Sequence, residues 1–287
     1  MTRPLRGPAR SSALLYGVVA VWGFIVVFPL YWMVTTAFKQ RPDIFPFPRY
    51  IPWLQFEPTL NAFRTVLTDY RSQVVNAIVN SIIAAAGSAL LATLLGALAG
   101  YALTRFRYRF GRWGNDDIAF FFISQRMLPP VAVVFPFLIM YKVLGVVDNP
   151  WALAVAYTLF NLPLAVWVLR DAFRKVPIEI EESALVDGCS RWTAFLRVSL
   201  PLSAPGLAAS FIICLIFAWN EFLFALVLTF RKSQTLPVLI AGQANELGSY
   251  WWIMSALAMI AVVPMIVVGI AAQRWIVRGL SAGSIKG

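Results

Sequence analysis

Residues 176–201, VPIEIEESALVDGCSRWTAFLRVSLP, form a charged island in a chain that is otherwise largely apolar. The stretch predicts two short helices, because Pro177 suits a first helical turn and Gly188 can adopt the left-handed conformation that ends a helix. Ser190 can cap the second helix, which we expect Pro201 to end. A polar segment held between two apolar runs must lie on a membrane surface or bind a partner.

The overall composition indicates a membrane protein. Hydrophobic residues make up 60% of the chain, charged residues make up 13%, and the mean hydropathy is +0.74. A soluble domain could not bury that much apolar surface. The net charge of +11 is expected of loops that face the cytoplasm, and no basic run with interleaved aromatics resembles a nucleic-acid-binding module. We therefore expect a lipid bilayer, and no nucleic acid, as a partner.

The absence of histidine and the low number of cysteines limit the chemistry that this chain can perform. The chain has no histidine, which removes imidazole metal ligands and imidazole acid–base catalysis, and we expect neither a metal site nor a catalytic residue. Its two cysteines, Cys189 and Cys214, fall in the charged island and in the following apolar run. A disulfide between them is not expected.

The apolar runs predict an all-α integral membrane protein with six transmembrane helices. Runs of this length can cross a hydrocarbon core of about 30 Å. The predicted spans cover residues 11–38, 74–103, 118–141, 151–169, 206–230 and 249–273. Residues 174–203, which we call the signature loop, separate the fourth and fifth spans. Residues 1–10 and 274–287 are predicted to be cytoplasmic tails, and a polar segment after the first span is predicted to end in an amphipathic helix near residues 60–70.

The distribution of basic residues predicts the orientation. With both termini inside, the inner segments hold 15 of the 24 Lys and Arg residues and the outer loops hold 8. Basic loops stay on the cytoplasmic side, so this bias predicts an N-in, C-in topology with the signature loop in the cytoplasm. The densest group is Arg105, Arg107, Arg109 and Arg112, for which contacts with lipid phosphates are a minor addition to the orienting effect.

Small residues recur every four positions along the second predicted span. They are Ala84, Ser88, Ala92, Gly96 and Gly100. Small side chains on one face let membrane helices approach closely, so this stripe predicts helix packing and not a binding site.

Polar side chains inside the predicted spans are candidates for a translocation path. Arg126 is the one basic residue placed within a span, and Glu221 is a carboxylate within the fifth. Intramembrane charges are costly and often functional. For Arg126 the alternatives are an interfacial side chain that reaches the headgroups or an ion pair with Glu221, and for Glu221 the alternative is a structural hydrogen bond. The path candidates are Gln125, Arg126, Asn161, Asn220 and Glu221.

The signature loop resembles the "EAA" motif of bacterial ATP-binding-cassette (ABC) importer permeases. That motif reads Glu-Ala-Ala, three residues, Gly, nine residues, Ile, one residue, Leu-Pro. The residues that carry this spacing here are Glu182, Ser183, Ala184, Gly188, Val198, Leu200 and Pro201. Ser183 and Val198 are mild departures from the pattern. In this family the loop is a coupling helix that docks on an ATPase subunit, so the resemblance implies ATPase contacts for these residues and for Asp187.

The resemblance extends over nearly the whole chain. The run Trp219-Asn220-Glu221-Phe222 and the last fourteen residues, RWIVRGLSAGSIKG, are similar to those of the maltose-type carbohydrate family of these permeases. The resemblance implies a type I ABC importer permease in the bacterial inner membrane, carrying a sugar or polyol. It also implies a second homologous permease, two ABC ATPase subunits that use ATP and Mg²⁺, and an extracytoplasmic solute-binding protein as partners.

Two other classes of protein are weighed against the importer. The sequence lacks a G-x-x-x-x-G-K-[ST] phosphate loop, so no cofactor is expected on this chain and ATP hydrolysis would belong to partner subunits. An ion-coupled secondary transporter could use Glu221 and Arg126, but no convincing internal repeat supports it. An intramembrane enzyme is disfavoured because no nucleophile–base constellation is found.

Overall fold

The computed structural model describes residues 9–245 and 248–281, and the regular structure of the described chain is mainly helical. The helices are α1 Ala9–Ala37, α2 Asn61–Thr68, α3 Arg71–Arg105, α4 Asn115–Ser124, α5 Pro130–Val143, α6 Pro150–Arg174, α7 Ile178–Val186, α8 Arg191–Ala194, α9 Leu200–Leu202, α10 Ala204–Trp219, α11 Leu223–Leu228, α12 Leu236–Ala241 and α13 Trp251–Ser281. Short 3₁₀ turns cover Arg41–Asp43 and Gln125–Met127, and a π-helical turn covers Phe195–Ser199. Two two-residue strands, β1 Ala244–Asn245 and β2 Gly248–Ser249, pair antiparallel.

Several helices are long and apolar enough to cross a membrane. In the described residues four helices qualify alone, and the number rises to six if each of two bent helix pairs counts as one span. The four are Leu15–Ala37, Arg71–Arg105, Pro150–Arg174 and Trp251–Gln273. The all-α, multi-span fold class predicted from the apolar runs is therefore confirmed.

The third predicted span is a bent pair and not one helix. The segment Asn115–Met127 and helix α5 meet at 88°. Pro129 and Pro130 lie at this bend, where the residue before each proline is held in an extended conformation that a helix cannot continue. The third span predicted over residues 118–141 is therefore divided into two helices by this bend.

The other boundaries also differ from prediction. The fifth span, predicted over residues 206–230, is interrupted between α10 and α11, and α10 already begins at Ala204. Helix α6 runs to Arg174, beyond the predicted end at residue 169, and α13 continues to Ser281 through part of the predicted tail. Residues 9–10 of the other predicted tail belong to α1. The remaining tail residues, 1–8 and 282–287, lie outside the described residues.

The described residues among 1–71 and 240–260 form one of two compact units. In this unit α1 exposes apolar side chains from Leu15 to Tyr31, among them Trp22 and Ile25. The segment after α1 folds around Lys39, whose ammonium group is fully buried 3.9 Å from the centre of the Trp32 ring. The amphipathic helix predicted near residues 60–70 is present as α2.

The described residues among 72–239 and 261–287 form the second unit, in which the small-residue stripe of α3 is closely packed. Ala84, Ser88 and Ala92 are completely buried. A Cβ atom added to Gly96 would lie 2.7 Å from the Cβ atom of Ala165 in α6, and one added to Gly100 would lie 2.8 Å from the amide nitrogen of Arg170. The backbones of α3 and α6 therefore touch along this stripe, and the prediction that it serves packing is confirmed.

Candidate functional site

The signature loop consists of α7 and a second, longer helical segment. Gly188 ends α7 with φ of +86°, and the Ser190 hydroxyl accepts a hydrogen bond from the Thr193 amide at 3.1 Å. Both local predictions are confirmed. The expectation that Pro201 ends the second helix was wrong, because helical structure continues to Leu202 before it bends by 74° into α10. The π-helical turn before Pro201 widens the helix and makes room for the proline ring. The altered hydrogen-bond pattern also tolerates a residue that has no backbone N–H to donate.

The motif residues lie mostly at the surface of the signature loop. Glu182, Ser183, Asp187, Gly188 and Pro201 are exposed, while Ala184, Val198 and Leu200 are half-buried. Apolar side chains stand among them, and the most exposed is Val186 at 86%. A surface that mixes exposed carboxylates with exposed apolar side chains is suited to contact with another protein.

An ion pair that the sequence did not reveal fixes this loop to α3. The Arg105 Nε atom lies 2.7 Å from the Glu181 carboxylate, and the two side chains are only 8% and 6% exposed. Arg105 also donates to the Val176 carbonyl at 2.8 Å, and the Tyr101 hydroxyl donates to the second Glu181 oxygen at 3.2 Å. The sequence showed Glu181 as one of several acids at a helix start and Arg105 as one of four arginines. Nothing in the pattern paired them.

An aromatic cluster supports the loop from beneath. Tyr101 in α3, Phe173 in α6 and Phe195 in the π-helical turn are all buried. The Tyr101 ring centre lies 4.6 Å from that of Phe195 and 5.6 Å from that of Phe173. Contacts at these distances stabilise the packing of three separate segments, so the loop and the ends of α3 and α6 are built as one piece.

A second candidate site is a small cavity of about 170 Å³ between α5, α6 and α10. Its polar lining comes from Arg126, Tyr157, Asn161 and Glu221. Apolar and aromatic side chains complete it, namely Leu128, Pro130, Phe160, Phe217, Ala218 and Phe224. The structure thus brings together three of the five path candidates.

Glu221 lies in the break between α10 and α11 and holds the start of α11. Its carboxylate oxygens accept hydrogen bonds from the Phe224 amide at 2.9 Å and from the Ala225 amide at 3.2 Å. The buried Tyr157 hydroxyl faces the same carboxylate without a regular hydrogen bond. The carboxylate therefore satisfies backbone donors that lipid could not satisfy, and it also reaches the cavity.

The remaining path candidates have local partners. The Arg126 guanidinium lies 4.6 Å from the Phe217 ring centre, and within the described ranges it forms no ion pair with Glu221. Gln125 and Asn220 donate to the carbonyls of Phe121 and Ile216 and do not line the cavity in this part of the chain.

Asn161 joins three helices and lines the cavity as well. Its side-chain amide donates to the Ser88 hydroxyl at 3.1 Å and to the Cys214 carbonyl at 3.2 Å. Ser88 belongs to α3 and Cys214 to α10, so one buried side chain of α6 connects both neighbours. Cys189 and Cys214 are free thiols, and no cluster of three metal-ligating His, Cys, Asp or Glu side chains occurs among the described residues.

Apolar spanning helices, a surface loop braced against them and a polar cavity between helices are the features of a membrane transport subunit. Residues 92–282 match the family described as binding-protein-dependent transport system inner membrane component, and the chain belongs to this family. It is accordingly a transporter permease of the inner membrane and not an enzyme.

Similar proteins extend this assignment over the whole chain. It is 31% identical over 282 residues to the trehalose/maltose transport system permease protein MalG of Thermococcus litoralis, covering 97% of this chain and 98% of that one. It is 35% identical over 275 residues to the diacetylchitobiose uptake system permease protein DasC of Streptomyces coelicolor, covering 94% and 96%. The resemblance to maltose-type permeases is confirmed.

Solved structures show the same fold. A bacterial ABC transporter involved in the import of the acidic polysaccharide alginate matches with a TM-score of 0.77 and 19% identity, over 96% of this chain and 99% of that one. An inward-facing MetNI methionine ABC transporter matches with a TM-score of 0.58 and 16% identity, over 74% and 98%. The prediction of a type I ABC importer permease fold is confirmed.

Proposed function

We propose that this chain is one permease subunit of an ATP-driven importer for a carbohydrate, either an oligosaccharide, a disaccharide or a polyol. The observation that carries the proposal is the signature loop, a surface helix pair braced against α3 by a buried ion pair. Relatives named for trehalose or maltose and for diacetylchitobiose support the carbohydrate class. The subunit would form half of the translocation path.

Coupling to ATP would pass through the exposed residues of the signature loop. Glu182, Ser183, Ala184, Asp187 and Gly188 would contact an ABC ATPase, with Val198, Leu200 and Pro201 shaping the second helix. ATP and Mg²⁺ would be bound by the two ATPase subunits. The second helix continues into α10 through one bend, so a displacement of the docked loop would be transmitted to a membrane helix as a rigid-body motion.

The other partners are a second homologous permease and an extracytoplasmic solute-binding protein. The apolar side chains that α1 exposes are compatible with lipid and with a second permease. In the proposed N-in, C-in orientation, the segment between α1 and α3 would face the binding protein.

The cavity lined by Arg126, Asn161 and Glu221 is the proposed part of the path in this subunit. Its mixture of aromatic faces and hydrogen-bonding groups suits a sugar or polyol, whose ring faces stack and whose hydroxyls form hydrogen bonds. Gln125 and Asn220 remain path candidates only if the helices rearrange. An ion-coupled carrier that uses Glu221 is disfavoured, because both oxygens of that carboxylate bind backbone amides.

Co-purification with the neighbouring subunits tests the proposal. The chain is co-expressed with its genomic neighbours, and ATP hydrolysis is measured in lipid with the binding protein and candidate sugars. We expect ATPases to co-purify and hydrolysis to rise with one liganded binding protein. Purification of the chain alone, with solute transport driven by an ion gradient, would overturn it.

A further inference from the structure

A second, larger cavity opens where α3 ends, α4 begins and α6 ends. It has a volume of about 710 Å³ and lies within one compact unit. Its charged lining consists of Arg107, Arg109, Arg170, Arg174 and Asp116. It shares no lining residue with the cavity around Glu221 and none with the motif residues of the signature loop.

The wall of this cavity is a loop with a fixed shape. The Asn115 side-chain amide donates to the Leu103 carbonyl at 2.8 Å and to the Phe106 carbonyl at 2.5 Å, and its oxygen accepts from the Tyr108 amide at 2.8 Å. The close approach of α3 and α6 at Gly100 lies one helical turn before Thr104, which lines the cavity. Because one side chain holds three points of the loop, Arg107 and Arg109 are presented from a defined scaffold.

The charges in the cavity are unbalanced. Four guanidinium groups face one carboxylate, and Asp116 is shared between Arg170 and Arg174, with its oxygen 2.9 Å from the Arg174 side chain. In the part of the chain that the structure describes, neither Arg107 nor Arg109 forms an ion pair. The Arg170 side chain is only 6% exposed, and its Nε atom is buried without a hydrogen-bond partner. An unpaired buried donor among excess positive charge favours an anionic ligand.

Aromatic side chains on the same loop indicate where that anion comes from. Phe110 is 84% exposed, and Tyr108 and Trp113 are about half exposed. Aromatic rings beside basic residues at the end of a spanning helix are typical of the headgroup layer of a membrane. A cavity at the end of a spanning helix would meet lipid headgroups at a higher local concentration than soluble anions.

We propose that this cavity binds the phosphate of an acidic phospholipid headgroup in the leaflet on the side of the signature loop. The guanidinium groups provide the paired N–H donors that match phosphate oxygens. The proposal goes beyond the importer function, since it requires neither ATP nor a transported sugar. The assignment to the cytoplasmic leaflet rests on the proposed N-in, C-in orientation.

Lipid retention measured by native mass spectrometry tests the proposal on the intact complex. The purified complex is titrated with phosphatidylglycerol, with phosphatidylcholine and with inorganic phosphate as a competitor. We expect saturable binding of phosphatidylglycerol and weaker binding of phosphatidylcholine. Arg107→Gln and Arg109→Gln should each weaken phosphatidylglycerol binding about fivefold, because one basic residue near a membrane surface contributes about 1 kcal/mol.

Arg112→Gln is the matched control, since Arg112 is exposed on the same loop and does not line the described cavity. All three arginines are exposed, so these variants should fold normally. Equal weakening by Arg112→Gln would show a general surface-charge effect and overturn the proposal. Phosphatidylcholine binding as tight as that of phosphatidylglycerol would also overturn it. Displacement of the lipid by an equal concentration of inorganic phosphate would reject lipid as the source. This experiment measures the mass of bound lipid. Its outcome is therefore independent of whether the complex shows sugar-stimulated ATP hydrolysis, which tests the proposed importer function.

Discussion

Arg105 and Glu181 form an ion pair 2.7 Å long, buried at the point where α7 meets the end of α3. The pair couples a surface loop to a helix long enough to cross a membrane. A docked loop that slid freely over the helices could not transmit movement to them. The pair therefore adds a polar connection to the aromatic cluster and to the continuation of the loop into α10, and together these would carry the proposed coupling.

Removal of Glu181 should strongly destabilise the protein. Glu181→Ala leaves the Arg105 guanidinium buried without its counter-charge, which costs about 3 kcal/mol or more. Thermal unfolding of the purified subunit in detergent, without the ATPases, measures the loss. Glu182→Ala, one position along the same helix and exposed, is the control and should leave the unfolding midpoint nearly unchanged. Equal midpoints for the two variants would show that the pair does not hold the loop.

Two substitutions at Gly188 distinguish the effect of backbone strain from the effect of a charge in the proposed ATPase interface. Asn and Asp tolerate the left-handed conformation better than other non-glycine residues, and a Cβ atom at Gly188 meets nothing within 4 Å. We expect Gly188→Asn to keep ATPase binding. Gly188→Asp should weaken it roughly tenfold or more, because an unpaired charge in an interface costs several kcal/mol. Co-purification of the ATPases is the measurement, and equal retention by both variants would place Gly188 outside the interface.

Close packing of α3 against α6 should make Gly96 intolerant of even one methyl group. In Gly96→Ala the new Cβ atom would lie 2.7 Å from the Ala165 Cβ atom, and overpacking of this kind costs about 1–3 kcal/mol. Gly269→Ala is the matched control in α13, where nothing lies within 4 Å. Its higher helix propensity should leave stability equal or greater by up to about 1 kcal/mol. Thermal unfolding in detergent compares the two, and an unaltered Gly96→Ala protein would contradict the packing.

Asp148 should make stability depend on pH. Partial burial raises the pKa of Asp148, but hydrogen bonds from the amides of Phe230, Lys232 and Ser233 outweigh it and hold the pKa below its usual range. A carboxylate with a lowered pKa stabilises the folded state at pH values above its unfolded pKa, and this contribution disappears as the pH falls through the folded pKa.

Asp148→Asn should therefore lower stability by about 1 kcal/mol or more at neutral pH, where hydrogen bonds to a charged acceptor are lost. The difference from the wild type should shrink as the pH falls below about 4, near the ordinary Asp value. Thermal midpoints across this range provide the test. Asp171→Asn, at an exposed position in α6, should show a smaller difference at neutral pH, and a pH-independent gap for Asp148→Asn would refute the assignment.

Substitutions of Arg126 and Glu221 should have different effects on stability, although both residues line one cavity. Glu221→Leu leaves two backbone amides of α11 without their acceptor, at a cost of about 1–3 kcal/mol. Arg126→Gln breaks no ion pair in the described structure, so we expect near-normal unfolding but reduced sugar transport. Unfolding midpoints and uptake into proteoliposomes are measured together. Normal transport by Arg126→Gln would remove Arg126 from the path.

Local chemistry made much of the signature loop predictable. Gly188 and Ser190 act through their own backbone conformation and hydroxyl, so their roles can be read from a few neighbouring residues. The effect of Pro201 could not be read in this way, because the π-helical turn before it lies where Phe195 packs against Tyr101 and Phe173, which are far away in the sequence.

The remaining features of the fold and site depend on contacts between residues that are far apart in the sequence, and these could not be predicted. Consecutive prolines at positions 129 and 130 gave a visible signal for the bend of the third span. The break at Glu221 gave none, since its carboxylate binds amides three and four residues ahead where an uninterrupted helix was expected. The contacts that tie Asn161 to Ser88 and Cys214 depend on which helices become neighbours, and apolar periodicity does not specify that.

The sequence distance between Arg105 and Glu181 has a consequence for biosynthesis. Glu181 emerges from the ribosome 76 residues after Arg105, so the second half of the ion pair does not exist when α3 is first made. Until then the guanidinium must be solvated by water or by headgroups at the membrane surface. The signature loop can therefore acquire its native anchor only after α4, α5 and α6 have been synthesised, and a chain released earlier would lack α7 altogether.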